Sequence, residues 1–383
     1  MDAVPLAPYK AVADAIKEAG GDAFKYCYQC GMCETACPWN RVRRFSVRQI
    51  IHMAQLGTVP LESDDVWLCT TCKNCVVRCP RGVNIIEVMR ALRRLLVPDG
   101  VVPASIPNLR GVMSSIASEG NPWRQPASAR SAWAASLNIK EFTEGTDTLY
   151  FPCCTSAYDP RVQKAAQATG GILLRTGLDF GLLGPKEVCC GESARKAGNE
   201  VLFKRLAKDN IKTFIDAGVT RIVVSSPHCY HTFKNEYSEF KVNFEVIHIT
   251  QHLASLVQDG KLTFTREYPK KVAYHDPCYL GRHNGVYDEP RAVLRSIPGV
   301  QVVEMADERE SALCCGGGGS RIWMETPRNE RFSEIRLKQA MAAGADVLVT
   351  ACPYCINMFE DARLSMGANI EIKDITEVVQ AAM

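Results

Sequence analysis

Eighteen of the 383 residues are cysteine, and their spacing is regular. Residues 27–38 read CYQCGMCETACP and residues 69–80 read CTTCKNCVVRCP, both C-x₂-C-x₂-C-x₃-C-P. Thiolates at i, i+3 and i+6 can converge on one metal cluster from a single loop, and the proline after the fourth cysteine turns the chain away. Two such runs in tandem hold two [4Fe–4S] cubanes, the fourth cysteine of each run ligating the other cluster. On that rule one cubane takes Cys27, Cys30, Cys33 and Cys79, and the other takes Cys69, Cys72, Cys75 and Cys37. The remaining cysteines are Cys153, Cys154, Cys189, Cys190 and Cys229, then Cys278, Cys314, Cys315, Cys352 and Cys355. Cys314 and Cys315 run into four glycines. A disulfide between such neighbours is strained, because adjacent Cα atoms sit about 3.8 Å apart and an ordinary bridge wants roughly 4.4–6.8 Å. Metal ligation suits them better. Gly316 and Gly317 let the backbone approach a cluster and offer N–H groups to its sulfurs. A phosphate loop is the competing reading of GGGGSR, but it lacks the Gly-Lys-Ser/Thr ending, and no G-x-G-x-x-G is present there.

Positioning these thiols takes two kinds of element. Between the first two runs, FSVRQIIHMAQLG (45–57) places Val47, Ile50, Ile51 and Ala54 near a 3.6-residue period and ends at Gly57, predicting a helix with a glycine cap. VNIIEVMRALRRLL (83–96) also reads as a helix, with Glu87, Arg90, Arg93 and Arg94 on a polar face. These make a helical ferredoxin module over about residues 20–97. The basic run RVRR (41–44) reads as a solvated face, or as a docking patch for an acidic redox partner. A second, longer repeat follows. Cys153, Cys189, Cys190 and Cys229 recur as Cys278, Cys314, Cys315 and Cys355, at offsets of 125, 125, 125 and 126. TLYFPCC parallels KVAYHDPC, RIVVSSPHC parallels DVLVTACPYC, and FEVIHIT parallels IEIKDIT. Strands alternating with helical stretches predict parallel α/β units, whose ligand sites gather past the carboxyl ends of the strands. The expected fold class is α plus α/β: a helical two-cluster ferredoxin domain (1–100), a partly helical linker (101–146) and two repeated α/β domains (147–262 and 263–383).

Bulk composition narrows the function. A net charge of +3 gives no concentrated basic face, so nucleic acid is not expected as a partner. No apolar run approaches the roughly 20 residues of a membrane span; LLVPDGVV (95–102) is broken by Pro98, Asp99 and Gly100. MDAVPLAPYK does not read as a signal peptide. The expectation is a cytoplasmic chain, or one held at a membrane complex through a partner. In that setting disulfides are a poor use for so many cysteines, and metal or redox chemistry a better one. A zinc scaffold is the structural alternative. No nicotinamide, flavin or nucleotide fingerprint is visible, so electrons must come from a partner protein.

The motifs CYQCGMCETACP, CTTCKNCVVRCP, EVCCGE, HDPCYLGRHNGVYDEPR, ALCCGGGG and ACPYC resemble those of the CCG-domain proteins. Over residues 20–380 the chain is similar to the fused form of the heterodisulfide reductase catalytic subunit. Iron–sulfur subunits of glycolate and glycerol-3-phosphate dehydrogenases and electron-transfer subunits of benzoyl-CoA reductase complexes are relatives of that family. The resemblance implies two cubane [4Fe–4S] clusters in the ferredoxin part and a noncubane [4Fe–4S] cluster in the second CCG domain, where disulfide chemistry takes place. It also implies membership of a hetero-oligomeric complex, with a flavoprotein, a ferredoxin-like protein or a membrane cytochrome as redox partner, and oxygen sensitivity suited to anaerobic life. In one place the chain departs from the pattern. Aligning Pro227 with Pro353 puts Ser226 where Cys352 stands, while an extra Cys154 follows Cys153. Three readings stay open: Cys154 replaces the missing ligand, given a turn at 153–154; Cys153, Cys189, Cys190 and Cys229 hold an ordinary cluster; or the first site is structural. Two functions follow. One is thiol–disulfide reduction at the second CCG site, with His275, Tyr354 or His283 as proton donor. The other is an electron relay with no substrate of its own. His275 at a strand end also reads as a packed residue, and His228 or His231 beside Cys229 as a Rieske-like ligand.

Overall fold

The computed structural model describes residues 9–60 and 64–383. The two cysteine runs fold alike. Gln29 and Gly31 in the first, and Thr71 and Lys73 in the second, all take positive φ (67°, 84°, 50° and 68°). In each run the left-handed residue at Gly31 or Lys73 opens a one-turn helix, Met32–Ala36 or Asn74–Val77. The 42-residue sequence repeat is therefore also a repeat of backbone conformation.

The helix expected over 45–57 is Val47–Leu56. Ser46 Oγ accepts the Gln49 N–H at 3.1 Å, and Gly57 ends it at φ 65°. A side chain at Gly57 would meet the Tyr9 carbonyl oxygen at 2.0 Å. The following helix, Ile85–Leu96, has the expected position but not the expected polar face. Arg90 and Arg93 are buried. That face lies against the C-terminal domains, where arginine finds carbonyls and carboxylates in place of water. The run at 41–44 is partly consumed in the same way: Arg41 pairs with Asp307 at 2.8 Å and Arg43 with Glu330 at 3.3 Å.

Two four-stranded sheets follow, both wholly parallel. The first holds β1 (Thr148–Phe151), β2 (Phe180–Gly181), β3 (Arg221–Val224) and β4 (Glu245–His248) in the order β2-β1-β3-β4. The second holds β5 (Lys271–Tyr274), β6 (Gln301–Val303), β7 (Val347–Thr350) and β8 (Glu371–Asp374) in the order β6-β5-β7-β8. Thr148 pairs with Arg221 and Arg221 with Glu245; Val272 pairs with Val347 and Val347 with Glu371. Residues of the central strands, such as Leu149, Ile222, Val272 and Leu348, are fully buried, which is why these strands read as continuous apolar runs. The repeat extends to the last helix of each unit. His248 and Asp374 end β4 and β8 and open the helices Ile249–Gln258 and Ile375–Ala382 with capping boxes, closed by Gln251 and Glu377. The segment between the modules contributes helix Pro107–Glu119 and 3₁₀ turns over Ala127–Ala134. It packs Trp133 and Phe142 on the first sheet, and the Phe142 N–H donates to the Leu182 carbonyl at 2.8 Å.

Candidate metal centres

Cys37 reaches across from the first run to join Cys69, Cys72 and Cys75 of the second; the four line one cavity with Thr70, Ile86 and Met89. These are the four thiols that the spacing groups for the second cubane. The first set differs in exposure: Cys30 is at the surface, among exposed Tyr26, Tyr28 and Met32. Donors already face the sulfurs. The N–H groups of Thr71 and Val83 point at Cys69 and Cys79 at 3.4 Å, and Gln29 Nε2 at Cys27 at 3.5 Å. Such donors set the charge and potential of a bound cluster.

The second α/β domain gathers five buried thiols past the ends of β5 and β7. Cys278 contacts Cys314, Cys315 lies 3.3 Å from Cys355, and Cys355 contacts Cys352. The four glycines after Cys315 have two jobs. Gly316 N–H donates to Cys314 Sγ at 3.3 Å, and the Gly317 amide faces Cys315. Gly318 and Gly319 lie directly on the second ferredoxin loop. A Cβ at Gly318 would sit 2.4 Å from the Thr70 carbonyl oxygen, and one at Gly319 would sit 2.4 Å from that of Cys69. As a result Cys72 of the ferredoxin set touches Cys314 of the domain set. Arg282 Nε donates to the Cys72 carbonyl at 2.7 Å, His283 Nε2 to the Thr71 carbonyl at 2.9 Å, and the hydroxyls of Tyr279 and Thr71 meet at 2.8 Å. His283 stacks flat on Tyr279 at 4.1 Å, and burial, with His231 beside it, holds it neutral. It therefore joins modules through its ring and its Nε2–H.

In the first α/β domain the equivalent thiols also meet. Cys153 contacts Cys229, Cys229 lies 3.5 Å from Cys190, Cys190 contacts Cys189, and Cys189 contacts Cys154. The turn that would bring Cys154 inward is present: Cys153 has φ 79°, a conformation β-carbon-bearing residues avoid, and Cys154 opens the helix Cys154–Tyr158. Ser226 is fully buried and lies against Cys153.

The two domains face each other across a shared polar seam. His228, beside Cys229, lies between Tyr279 and Tyr354 of the other domain, 4.4 Å from each ring. Its Nδ1 meets Glu192 at 3.1 Å, and the ring also bonds the Cys352 sulfur. Burial opposes its charge, but Glu192 and then Cys352 carry it to about 10. The cationic histidine of the seam is therefore His228. It is turned toward Glu192 and a thiol of the second domain rather than placed as a ligand of the first. His275 differs. Its Nδ1 accepts Arg336 Nε–H at 3.2 Å, and burial and Arg336 keep it neutral; a ring nitrogen and the sulfurs of Cys315 and Cys355 lie within 4.8 Å of one another. Tyr354 places its hydroxyl 3.1 Å from that of Ser193 in the first domain. His231 packs edge-on against Tyr279 and His283, and burial pushes it down to about 3.

Two arginines at these sites carry no motif. Arg93 donates to the carbonyls of Val66, Cys69, Lys196 and Gly319 at 2.7–3.1 Å, joining all three modules at the second ferredoxin loop. Arg130, from the linker, reaches Cys154 Sγ at 3.3 Å and Glu187 at 2.8 Å, fully buried. Arg93 hides in a helix whose charge pattern looks solvated, and Arg130 sits in a stretch with no periodicity that would aim it.

The donor set fits iron–sulfur clusters: convergent thiols, amide N–H groups directed at sulfur, and close backbone approach at glycine. A ferredoxin module set against a pair of cysteine-rich α/β domains defines an iron–sulfur electron-transfer protein. Family comparison agrees. Residues 23–83 match the 4Fe-4S dicluster domain, and residues 148–234 and 272–360 match the cysteine-rich domain CCG. A subunit of the dihydromethanophenazine:CoB–CoM heterodisulfide reductase of Methanosarcina barkeri is 34% identical over 84% of this chain and 78% of its own length, and the chain belongs to that family. It is also similar to the probable iron–sulfur-binding oxidoreductase FadF of Bacillus subtilis (38% identical over 85% of the chain) and to the EtfAB:quinone oxidoreductase of Syntrophomonas wolfei (34% over 84%). It spans 47% of the length of each of these two. Among solved structures, a hypothetical protein from Helicobacter pylori shares the fold with a TM-score of 0.53 at 11% identity, over 97% of this chain and 76% of that one. No helix of the described residues is long and apolar enough to cross a membrane.

Proposed function

We propose that this chain is the electron-relay subunit of a larger redox complex. It accepts electrons from a protein partner at the exposed first ferredoxin site and delivers them to the thiol-held centre of the second CCG domain. One observation carries the reading: Cys72 of the second cubane set touches Cys314 of the CCG set, with Gly318 and Gly319 removing all clearance between the two loops. Iron–sulfur clusters held at these thiols supply one-electron transfer. The residues around them set the rest. Cys27, Cys30, Cys33 and Cys79 would hold the cubane nearest the surface, and Cys37, Cys69, Cys72 and Cys75 the inner one. Cys278, Cys314, Cys315, Cys352 and Cys355 would hold a noncubane cluster, as five sulfurs exceed what a cubane takes. Exposed Cys30, Tyr26, Tyr28 and Met32 mark where a flavoprotein or ferredoxin-like donor would dock.

Relay is favoured over disulfide reduction by burial. All five thiols of the second site are at most 7% exposed, and His228, Tyr279 and Tyr354 pack beside them. The test uses the chain purified without air. It should carry at least about twelve irons, three four-iron clusters. Once chemically reduced it should not turn over disulfides alone, yet should support turnover when its partner proteins are added. Disulfide turnover by the isolated chain with an artificial donor would instead establish a reductase.

A further inference from the structure

We infer that the first CCG domain has its own iron–sulfur site, in which Cys153 takes the place lost at Ser226, Cys154 takes the place that Cys278 holds in the second domain, and Arg130 is the positioning residue that holds the Cys154 sulfur. The inference rests on the iron–sulfur reading of the chain and goes beyond it, since three readings of this site stand open in the sequence and none gives the linker a role.

Four observations carry it. First, both domains present a chain of five touching thiols. In the second it runs Cys278, Cys314, Cys315, Cys355, Cys352. In the first it runs Cys154, Cys189, Cys190, Cys229, Cys153. The sulfur count is preserved: Cys154 meets Cys189 as Cys278 meets Cys314, and Cys153 meets Cys229 as Cys352 meets Cys355. Second, the relocation requires distorted backbone. Cys153 is held at φ 79°, a conformation costing of order 1–3 kcal/mol that persists where its surroundings demand it. Position 154 corresponds to Tyr279 in the second domain, so the repeat has exchanged a ring for a thiol there.

Third, Arg130 Nη1 is 3.3 Å from Cys154 Sγ while Nε is fixed on Glu187 at 2.8 Å. Its Nη2 is buried without a hydrogen-bond partner among the described residues. A buried guanidinium with Nη1 on an uncharged thiol is poorly satisfied. A Cys154 thiolate on a metal cluster would give Nη1 negative sulfur to bind. Fourth, Gly191 N–H donates to Cys189 Sγ at 3.4 Å, the counterpart of Gly316 on Cys314. Beyond placing the sulfur, the Arg130 charge favours the reduced form of the cluster. Reduction adds one electron and breaks no bond, so a nearby cation raises the midpoint potential.

The test compares full-length wild-type chain, Cys154→Ala, and Arg130→Met with Arg130→Lys, all purified without air and read by iron content, EPR and redox titration. Wild type should show a fourth cluster signal beside the two cubanes and the second CCG site. Cys154→Ala should lose about four irons and that signal alone. Should Cys154→Ala not fold, the arginine pair decides: Arg130→Met should lower the midpoint potential of the fourth signal, Arg130→Lys should recover part of the shift, and the other clusters should not move. A wild-type chain with the three other signals and no fourth overturns this inference alone, as does full iron in Cys154→Ala or an unmoved potential in Arg130→Met. A wild-type chain lacking the cubane signals as well overturns the iron–sulfur reading beneath it.

Discussion

His228 and Tyr354 occupy the same position in the two halves of the repeat, 126 residues apart, and their rings meet at 4.4 Å across the seam between the domains. The repeat has thus placed different chemistry at its own symmetry contact. One copy carries a cation bonded to Glu192 and Cys352. The other carries a phenol bonded to Ser193. The first domain completes the surroundings of the second domain's site.

His228→Phe keeps a ring between Tyr279 and Tyr354 and removes the donor to Cys352. Iron content should stay as in wild type, while the EPR signal of the second CCG site shifts and the cubane signals do not. Tyr354→Phe, which loses only the bond to Ser193, should leave that signal in place. An unaltered spectrum in His228→Phe would show that the histidine does not bond the loaded site.

At Gly319 the φ of 60° and the Cys69 carbonyl both exclude a side chain. Gly319→Ala should cost about 1–3 kcal/mol in chemical denaturation. It should also slow electron transfer from the ferredoxin clusters to the second CCG site in freeze-quench experiments, because the two loops must separate. Gly344→Ala, at a positive φ with open space around it, should bring the backbone cost without the slowing.

Arg93 uses its guanidinium to satisfy four carbonyls from three modules. Arg93→Met leaves them buried and unpaired, at roughly 1–3 kcal/mol for each group that water cannot reach. The loss should appear as undocking: faster hydrogen exchange in helix Ile85–Leu96 and in the loop at Cys69, with the two sheets still protected.

Glu236 sits among Lys196, Arg90 and Arg195, and although burial opposes it, these cations hold its carboxyl down to about 2 from 4.5. A depressed carboxyl contributes stability that is present above its unfolded value and lost as pH falls toward the folded one. Glu236→Gln should therefore destabilise the chain by a constant amount at neutral pH. The gap to wild type should narrow between pH 4.5 and about 2. A gap that stays constant through that range would mean the lost contribution is packing rather than charge.

Arg41 and Arg43 are engaged by Asp307 and Glu330 of the second CCG domain, whereas Arg44 and Arg48, the latter paired with Glu34 at 3.4 Å, line one groove of the ferredoxin surface with Gln29 and His52. The double change Arg44→Glu and Arg48→Glu should slow reduction by an acidic flavoprotein or ferredoxin at low salt. The difference should fade at high salt, and reduction by dithionite should not change.

Cysteine spacing, together with the 42- and 125-residue periods, exposed the modules, the grouping of the second cubane set and the parallel strands, because each depends on local periodicity or on a repeat. What stayed hidden was how the modules meet. Arg90 and Arg93 show the pattern of a wetted helix face, and only the neighbouring domains reveal that the face is dry. Arg130 approaches Cys154 from a linker with no periodic signal. The roles of His228 and Glu192 arise where two domains touch, far apart in chain order from Tyr279 and Cys352. Gly316 and Gly317 were legible as amide donors; Gly318 and Gly319 owe their identity to a loop almost 250 residues upstream.

That last contact also governs access to the inner ferredoxin thiols. The glycine stretch lies flush on the loop bearing Cys69 and Cys72, so the finished molecule offers an iron-delivery factor no open approach from that side. A chain made from its amino end displays those thiols well before the residues that cover them exist. Reaching those thiols from that side in the folded molecule requires the glycine stretch to lift off the loop.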